Sequence, residues 1–342
     1  MFRWHNIGDE GRCLMKRTAC VLFLVSAVAC TIPLGVDARL GGSGAAFLSM
    51  GGGSRPLALG GAYAAYAEGI DAIYWNPAGI ANIEKSCFSF SHAELFADMS
   101  HENFAFVFPS KDAAFGISAL ALLSGEIERT DYANQEGTGE LFSANDYAIG
   151  LSYARMMTKK FTAGATIKVI NENIAEVSAN GVVFDLGATY NTGFRNLKFG
   201  FVVQNFGPDM AYTGEELEIT VGMGGDSLPS EEDIQATYKS ESYALPLTFQ
   251  LGAAMHLYDS PEHRLTVEAD LVHPNDQDET YAVGAEYAYR EMFFLRGGST
   301  GKNNRGLSGG MGLKFMNFHF DFSFEQHQEL SDIKRVSLGF SY

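Results

Sequence analysis

The chain has 342 residues, of which 38 are glycine and 13% are aromatic. Its net charge of −17, with 24 Lys and Arg against 41 Asp and Glu, argues against a nucleic-acid partner, because phosphate binding needs an excess of basic side chains. The one long apolar run, residues 20–29, is shorter than the roughly 20 residues that a membrane-spanning helix requires, which excludes a helical membrane protein.

Residues 1–38 have the pattern of an N-terminal extension followed by a secretory signal peptide. Two basic residues precede the apolar run and small residues follow it, in the order that export requires. Met15 is the favoured start, and we expect cleavage near Ala38, with lipidation at Cys30 as the alternative. Cleavage near Ala38 would leave Cys87 as the single cysteine, so no internal disulfide is expected.

Residues 39–84 are rich in glycine and alanine and do not alternate. The pattern predicts a short helix over residues 57–67 and a second turn that Asp71 caps and Pro77 ends. A compact, apolar and irregular segment must be enclosed by other parts of the protein, and the lumen of a barrel would enclose it. We therefore expect a plug, or hatch, inside a barrel. Its candidate residues are Gly60, Gly61, Asn76, Pro77, Ala78 and Gly79.

Two interpretations of Asn76-Pro77-Ala78-Gly79 remain open. In the first, the motif is a structural turn in which Pro fixes φ and Gly accepts unusual dihedral angles. In the second, the motif gates the barrel or binds a ligand, as irregular backbone often does at functional sites.

About fourteen stretches within residues 85–342 alternate apolar and polar residues. One face of the second stretch carries Phe104, Phe106 and Phe108, because strand side chains repeat every two residues. A soluble sandwich would bury such rows, whereas a barrel in lipid turns them outward. Aromatic residues favour the ends of the rows, which is typical of an interfacial girdle.

The connections between these stretches alternate between short and long. Short connections are expected at residues 109–112, 156–160, 192–196, 258–262, 289–291 and 316–317, and long ones at residues 96–101, 128–144, 171–180, 205–244, 273–279, 300–306 and 326–332. This pattern predicts a transmembrane antiparallel β-barrel of about 14 strands in the outer membrane, with both chain termini at the short-turn, periplasmic end. A soluble secreted β-protein is the alternative.

The last stretch ends on the aromatic Tyr342, similar to the terminal signal that the barrel-insertion machinery recognises. The expected partners are therefore this machinery and outer-membrane lipid.

The stretches Arg55-Pro56-Leu57-Ala58-Leu59-Gly60-Gly61-Ala62-Tyr63 and Asp71-Ala72-Ile73-Tyr74-Trp75-Asn76-Pro77-Ala78-Gly79-Ile80 resemble the N-terminal hatch of the FadL-like outer-membrane proteins, and look closest to the PorV/PorQ branch. The FadL resemblance implies passive diffusion of a hydrophobic or small solute, with movement of the hatch or a lateral opening in the wall. The PorV/PorQ resemblance implies instead a component of type IX protein secretion that helps to attach cargo proteins to the surface. The acidic motifs Glu215-Glu216-Leu217-Glu218 and Glu231-Glu232-Asp233 offer no hydrophobic capture surface.

Charged residues recur on the polar faces of the strands. An unpaired charge in a dry lumen would cost several kcal/mol, so we expect these groups to pair, to hydrate or to hold the plug. A polar network that anchors the N-terminal segment and a solute-conducting path are the two interpretations. The residues are Asp146, Asp185, Lys168, Lys198, Glu268, Asp270, Glu286, Arg296, Lys314, Asp321 and Glu325.

No motif predicts an enzyme, a metal site or a cofactor. Gly297-Gly298-Ser299-Thr300-Gly301 matches a nucleophile elbow, but the next run is another strand and no partner His is placed. Asn275-Asp276-Gln277-Asp278-Glu279 offers oxygen ligands for Ca²⁺ but lacks EF-hand spacing, which favours a solvated loop. The histidines are scattered, without the spacing of a catalytic metal site.

Overall fold

The computed structural model describes residues 43–222, 233–301, 305–327 and 332–342. Fourteen long antiparallel strands form one closed sheet, which confirms the predicted barrel. The strands are β1 Cys87–Glu94, β2 Ser100–Ser110, β3 Ala113–Leu123, β4 Ala144–Met156, β5 Phe161–Ile174, β6 Val177–Asn191, β7 Lys198–Phe206, β8 Thr248–Asp259, β9 His263–Pro274, β10 Thr280–Tyr289, β11 Phe293–Thr300, β12 Arg305–Phe315, β13 Phe318–His327 and β14 Ile333–Ser341.

The first and last strands close the barrel. β1 pairs with β14 from Cys87↔Ser341 to Glu94↔Lys334, and every other strand pairs with its neighbours in chain order. Each barrel strand therefore has a partner on both sides, which satisfies the backbone groups that lipid could not. Among the described residues, no helix is long and apolar enough to cross a membrane.

The outer surface of the barrel is apolar and the inner surface is mixed. In β2, Phe104 and Phe108 are exposed whereas Asn103 and Val107 are buried. In β4, Ile149 and Leu151 are exposed and Ser152 is buried. The alternation predicted for these strands is confirmed, and it places the Phe rows outside.

The six short turns lie where the sequence predicts them, at one rim of the barrel. The long connection predicted over residues 171–180 is wrong, because β5 and β6 stay paired from Asn171↔Asn180 to Ile174↔Val177. Only Ala175 and Glu176 connect the two strands. Where a strand extends beyond the bilayer, both of its faces can be polar. The alternation of apolar and polar residues then ends, although the hydrogen bonds to the neighbouring strand continue.

Two connections at the opposite rim, here called the long-loop end, carry small elements of their own, the one between β3 and β4 and the one between β7 and β8. Ile127–Glu128 pairs with Leu141–Phe142, and Glu218–Gly222 pairs with Asp233–Thr237. The acidic Glu215–Leu217 forms an exposed 3₁₀ turn. Glu231 and Glu232 of the second acidic motif lie outside the described residues, as do the extension and signal at residues 1–38.

The N-terminal segment, residues 43–86, contains only short helices. They are 3₁₀ Ala46–Met50, α1 Ser54–Ala58, α2 Ala72–Trp75 and 3₁₀ Pro77–Asn82. The helix predicted over residues 57–67 is wrong, because Gly60 and Gly61 have φ values of 70° and 80°. Left-handed backbone ends a helix, so α1 stops at Ala58.

The N-terminal segment lies inside the barrel. It contacts the inner faces of strands around the circumference, including Gly116 of β3, Gly200 of β7 and Gly298 of β11. A single segment can reach all of these walls of a closed barrel only from the interior.

The first described residue, Ser43, lies at the long-loop end. It bridges Ala244 in the β7–β8 connection, and its hydroxyl donates to Asp276 in the β9–β10 connection. The prediction that both termini lie at the short-turn end stays a prediction for the N-terminus, because residues 1–42 lie outside the described residues. Tyr342 does lie there, where its amide donates to Ser86.

Candidate functional site

Inward-facing glycines leave room for the N-terminal segment. A Cβ at Gly200 would lie 2.0 Å from the Ala64 carbonyl oxygen, and a Cβ at Gly298 would lie 2.1 Å from the Leu59 carbonyl carbon. A Cβ at Gly164 would lie 2.6 Å from the Pro77 carbonyl carbon. The segment therefore packs with its backbone against the backbone of the wall, which no larger residue would allow.

A chain of ion pairs connects α1 to two strands. Glu286 of β10 accepts from Arg55 Nε at 2.9 Å and from Arg296 Nε of β11 at 2.7 Å. Arg296 also bonds Asp321 of β13. Glu286 is only 2% exposed, so its charge depends on these two guanidinium groups. Arg55 lies as well over the rings of Tyr63 and Tyr66.

Two carboxylates of β9 hold the turn that follows α1. Asp270 Oδ2 accepts from the amides of Tyr63 and Ala64 at 2.8 and 2.9 Å. Glu268 Oε1 accepts from the amides of Ala65 and Tyr66 at 2.7 and 3.0 Å. Four consecutive N–H groups are thus satisfied by side chains two residues apart on one strand face, through charge-assisted hydrogen bonds.

Two lysines on the inner wall are paired. Lys168 Nζ of β5 lies 2.9 Å from Asp185 of β6 and donates to Asn205 of β7 at 2.6 Å. Lys198 Nζ of β7 lies 2.6 Å from Glu68 of the N-terminal segment. The first pair stabilises the wall, and the second binds the segment to it.

Three further charged candidates lie at other positions on the strands. Asp146 is half-buried in β4, and Glu325 is buried in β13. Lys314 is exposed at the short-turn rim of β12. The structure thus joins Glu268, Asp270, Glu286, Arg296 and Asp321, together with Lys198, around the segment.

The motif Asn76-Pro77-Ala78-Gly79 forms the start of a 3₁₀ helix. The Asn76 side chain accepts from the Ala78 amide and donates to the carbonyl oxygens of Ala64 and Ala188. Gly79 is not needed for an unusual dihedral angle, because its φ is not positive. It is needed for close approach, since a Cβ there would lie 2.1 Å from the Ala67 carbonyl oxygen.

Several residues that hold the segment were not singled out from the sequence. Arg335 of β14 donates to the Gly51 carbonyl oxygen at 3.1 Å, and Asn103 of β2 accepts from the Gly53 amide at 3.2 Å. Glu172 of β5 accepts from the Ala45 amide at 3.0 Å. The alternation of β14, with Val336 outward, could have identified Arg335 as an inward charge.

Two cavities flank α1. One, of ≈ 60 Å³, lies towards the long-loop end and is lined by Leu48, Leu57, Tyr74, Trp75 and the amides of Gln204 and Gln250, among others. The other, of ≈ 450 Å³, lies at the short-turn end and is lined by Arg55, Asp71, Ile83, Lys314 and their neighbours. Leu57 and Arg55 of the same helix thus face different cavities.

The structure gives no support to the enzymatic interpretation of residues 297–301 or to the metal interpretation of residues 275–279. Gly297 to Thr300 are part of β11, which pairs directly with β12 and enters no helix. In the part of the chain that the structure describes, no three His, Cys, Asp or Glu side chains are grouped to hold a metal ion.

No protein-family model matches this chain, and no curated protein is significantly similar to it in sequence. Solved structures of similar fold exist. The Ralstonia pickettii toluene transporter TbuX superposes with a TM-score of 0.59 at 15% identity, over 85% of this chain and 98% of that one. The CymD monoaromatic hydrocarbon channel gives 0.59 at 14%, over 86% and 98%. The Pseudomonas putida toluene transporter TodX gives 0.56 at 14%, over 85% and 97%.

These structures are transport channels of the FadL family, not enzymes. At this level of identity the likeness shows the fold, which is a FadL-type barrel.

Proposed function

We propose that the chain is an outer-membrane channel through which a small hydrophobic solute enters by passive diffusion. The observation that carries this proposal is the FadL-type fold of the barrel, with a small cavity of mixed lining at its long-loop end, beside α1. Leu48, Tyr74 and Trp75 form the apolar part of this lining, and Gln204, Gln250 and Glu325 form the polar part. Toluene, which the similar transporters TbuX and TodX carry, is the first solute to test.

An irregularity in the barrel wall adjoins this cavity. The pairing of β6 with β7 shifts between Phe184 and Leu186, and Asn205 has a φ of 59°. Asn205 lines the cavity as well. The position of this irregularity supports a route from the cavity through the wall into the membrane.

The second route passes the N-terminal segment. Its backbone packs on the inward glycines, so a solute can pass only if the segment shifts. We propose Gly60, Gly61 and the Asn76-Pro77-Ala78-Gly79 turn as the points of movement. Replacing Pro77 and Gly79 together should change solute entry, and unchanged entry through a folded barrel would rule out gating at this turn.

Two measurements test the proposed function together. Toluene should enter cells that carry the chain faster than matched cells without it. Toluene should also quench the fluorescence of Trp75, the only tryptophan within residues 39–342. Equal entry in both cell types, with the chain recovered in its folded, heat-modifiable form from the outer membrane, would contradict the proposal.

The role in type IX secretion remains a prediction from the sequence resemblance alone. Co-purification of a secreted protein that carries a shared C-terminal domain would support it. The insertion machinery and outer-membrane lipid likewise remain predicted partners.

A further inference from the structure

The larger cavity, here called the vestibule, contains charges of both signs. It lies between the N-terminal segment and strands β12, β13, β14 and β1, and it includes residues of the short turn at Met316 and Asn317. Its lining includes three basic side chains, those of Arg55, Lys85 and Lys314, and the imidazole of His319. It also includes four carboxyl groups, those of Glu68, Asp71, Glu84 and Asp321.

Asp71 has no partner within the described residues. The neighbouring charges do: Arg55 pairs with Glu286, Glu68 with Lys198, and Asp321 with Arg296. Asp71 is only 9% exposed, yet among the residues that the structure describes its carboxylate accepts no hydrogen bond and forms no ion pair; the guanidinium groups of Arg55, Arg296 and Arg335 act on it only from a greater distance. An unpaired buried carboxylate is costly, so this group favours a ligand that donates to it.

The carboxyl group of Asp71 packs closely against the backbone of Gly53. A Cβ at Gly53 would lie 2.3 Å from the Asp71 carboxyl carbon. Burial raises the pKa of Asp71 to about 7, and the charge of Asp321 acts in the same direction, while Arg55, Arg296 and Arg335 oppose it. Its charge therefore changes close to neutral pH.

The mouth of the vestibule carries two amines and one carboxylate, those of Lys85, Lys314 and Glu84. Lys85 and Lys314 are exposed, and neither forms an ion pair within the described part of the chain. Lys314 lies opposite His319 in the pairing of β12 with β13. Apolar side chains, Ile70 and Ile83, line the same space. A carboxyl group without a partner thus lies inside, and two amines lie outside.

We propose that the vestibule binds a small zwitterion of the amino-acid class, with its ammonium group on Asp71 and its acid group at Lys314 and Lys85. A simple cation would meet the lysines at the mouth, and a simple anion would leave Asp71 without a partner. At ~30 Å³ per water molecule, ≈ 450 Å³ corresponds to about 15 waters, which is ample for a ligand of this size. This site is separate from the proposed hydrophobic route and does not depend on it.

Binding of 4-aminobutyrate, butylamine and butyrate to the purified chain tests the proposal by calorimetry. We expect 4-aminobutyrate to bind most tightly, and Asp71→Asn and Lys314→Gln each to weaken it roughly tenfold or more. Its affinity should rise from about pH 5.5 to about pH 8, as Asp71 ionises, in the wild type but not in Asp71→Asn. Asp98→Asn, an exposed change in the β1–β2 connection, is the matched control and should bind as the wild type does.

Three results would overturn the proposal: no binding of 4-aminobutyrate, equal binding by Asp71→Asn, or tighter binding of either singly charged probe. Lys314→Gln alters only an exposed rim residue, so it remains informative even if Asp71→Asn does not fold. Heat-modifiable migration on gels verifies the fold of each variant.

Discussion

Individual buried charges position the N-terminal segment. Glu286 is shared between Arg55 of the segment and Arg296 of the wall, and it is almost completely buried. Removing one partner from a buried ionic cluster leaves the others uncompensated, whereas an exposed pair contributes little. A surface pair of the same chemistry, Glu262 with Arg290, offers a direct comparison.

Glu286→Gln should release the segment from the wall. The loss of one carboxylate between two buried guanidinium groups is expected to cost about 3–5 kcal/mol of stability. Hydrogen exchange of residues 54–66 should become faster, and the melting temperature should fall. Glu262→Gln, whose carboxylate is 54% exposed, should change neither by more than about 0.5 kcal/mol. Equal behaviour of the two variants would contradict a structural role for Glu286.

The barrel strands and the N-terminal segment pack closely against each other because glycines lie at their points of contact. β11 shows this within two neighbouring residues. A Cβ at Gly298 would lie 2.1 Å from the Leu59 carbonyl carbon, whereas a Cβ at Gly297 would meet nothing closer than 4.0 Å. The inward residue is constrained by the segment, and the outward one is not.

Gly298→Ala should therefore destabilise the docked segment, and Gly297→Ala should not. Overpacking of this kind costs about 1–3 kcal/mol, while a change at an open surface position usually stays within about 0.5 kcal/mol. Thermal unfolding of the two purified variants, with exchange over residues 57–61, measures the difference. A Gly298→Ala variant as stable as Gly297→Ala would show that the segment does not pack here.

Some of these elements can be predicted from the sequence and others cannot. Turns such as Met316-Asn317 are recognisable because a polar interruption separates two alternating runs. The end of helix α1 differs from the prediction because it depends on two glycines with positive φ, of which Gly60 packs against Ser299 of β11 and Gly61 against Trp75. The connection at Ala175 and Glu176 was missed because polar residues such as Asn171 and Asn180 remain strand-paired above the apolar band.

The outer surface of the whole molecule indicates whether water or lipid surrounds the barrel. Exposed apolar side chains cover the middle of the strands, as Leu151 in β4, Leu186 in β6 and Leu338 in β14 show. In water such a band would be a large hydrophobic patch, which soluble monomers rarely expose. A lipid environment explains it.

Leu151→Arg should destabilise the folded barrel in lipid vesicles, whereas Met157→Arg should not. The two side chains are similarly exposed, at 57% and 59%, but Leu151 lies within β4 and Met157 in the short turn after it. A charge near the midplane of a bilayer costs about 2–4 kcal/mol, and one near the interface about 0–1 kcal/mol. Denaturant titration of folding into vesicles measures both values. Equal effects would contradict the membrane-spanning orientation.

The alternation of apolar and polar residues predicts the barrel, its strand number, the outward Phe rows and the inward position of charges such as Glu286 and Asp270. These follow from a period of two residues, which is a local property of any strand. The folded chain is needed to show which inward charges meet, why Gly79 and Gly298 must be glycine, and that Asp71 forms no ion pair within the described residues. Those facts depend on how an irregular segment lies against distant strands, and no local periodicity specifies that placement.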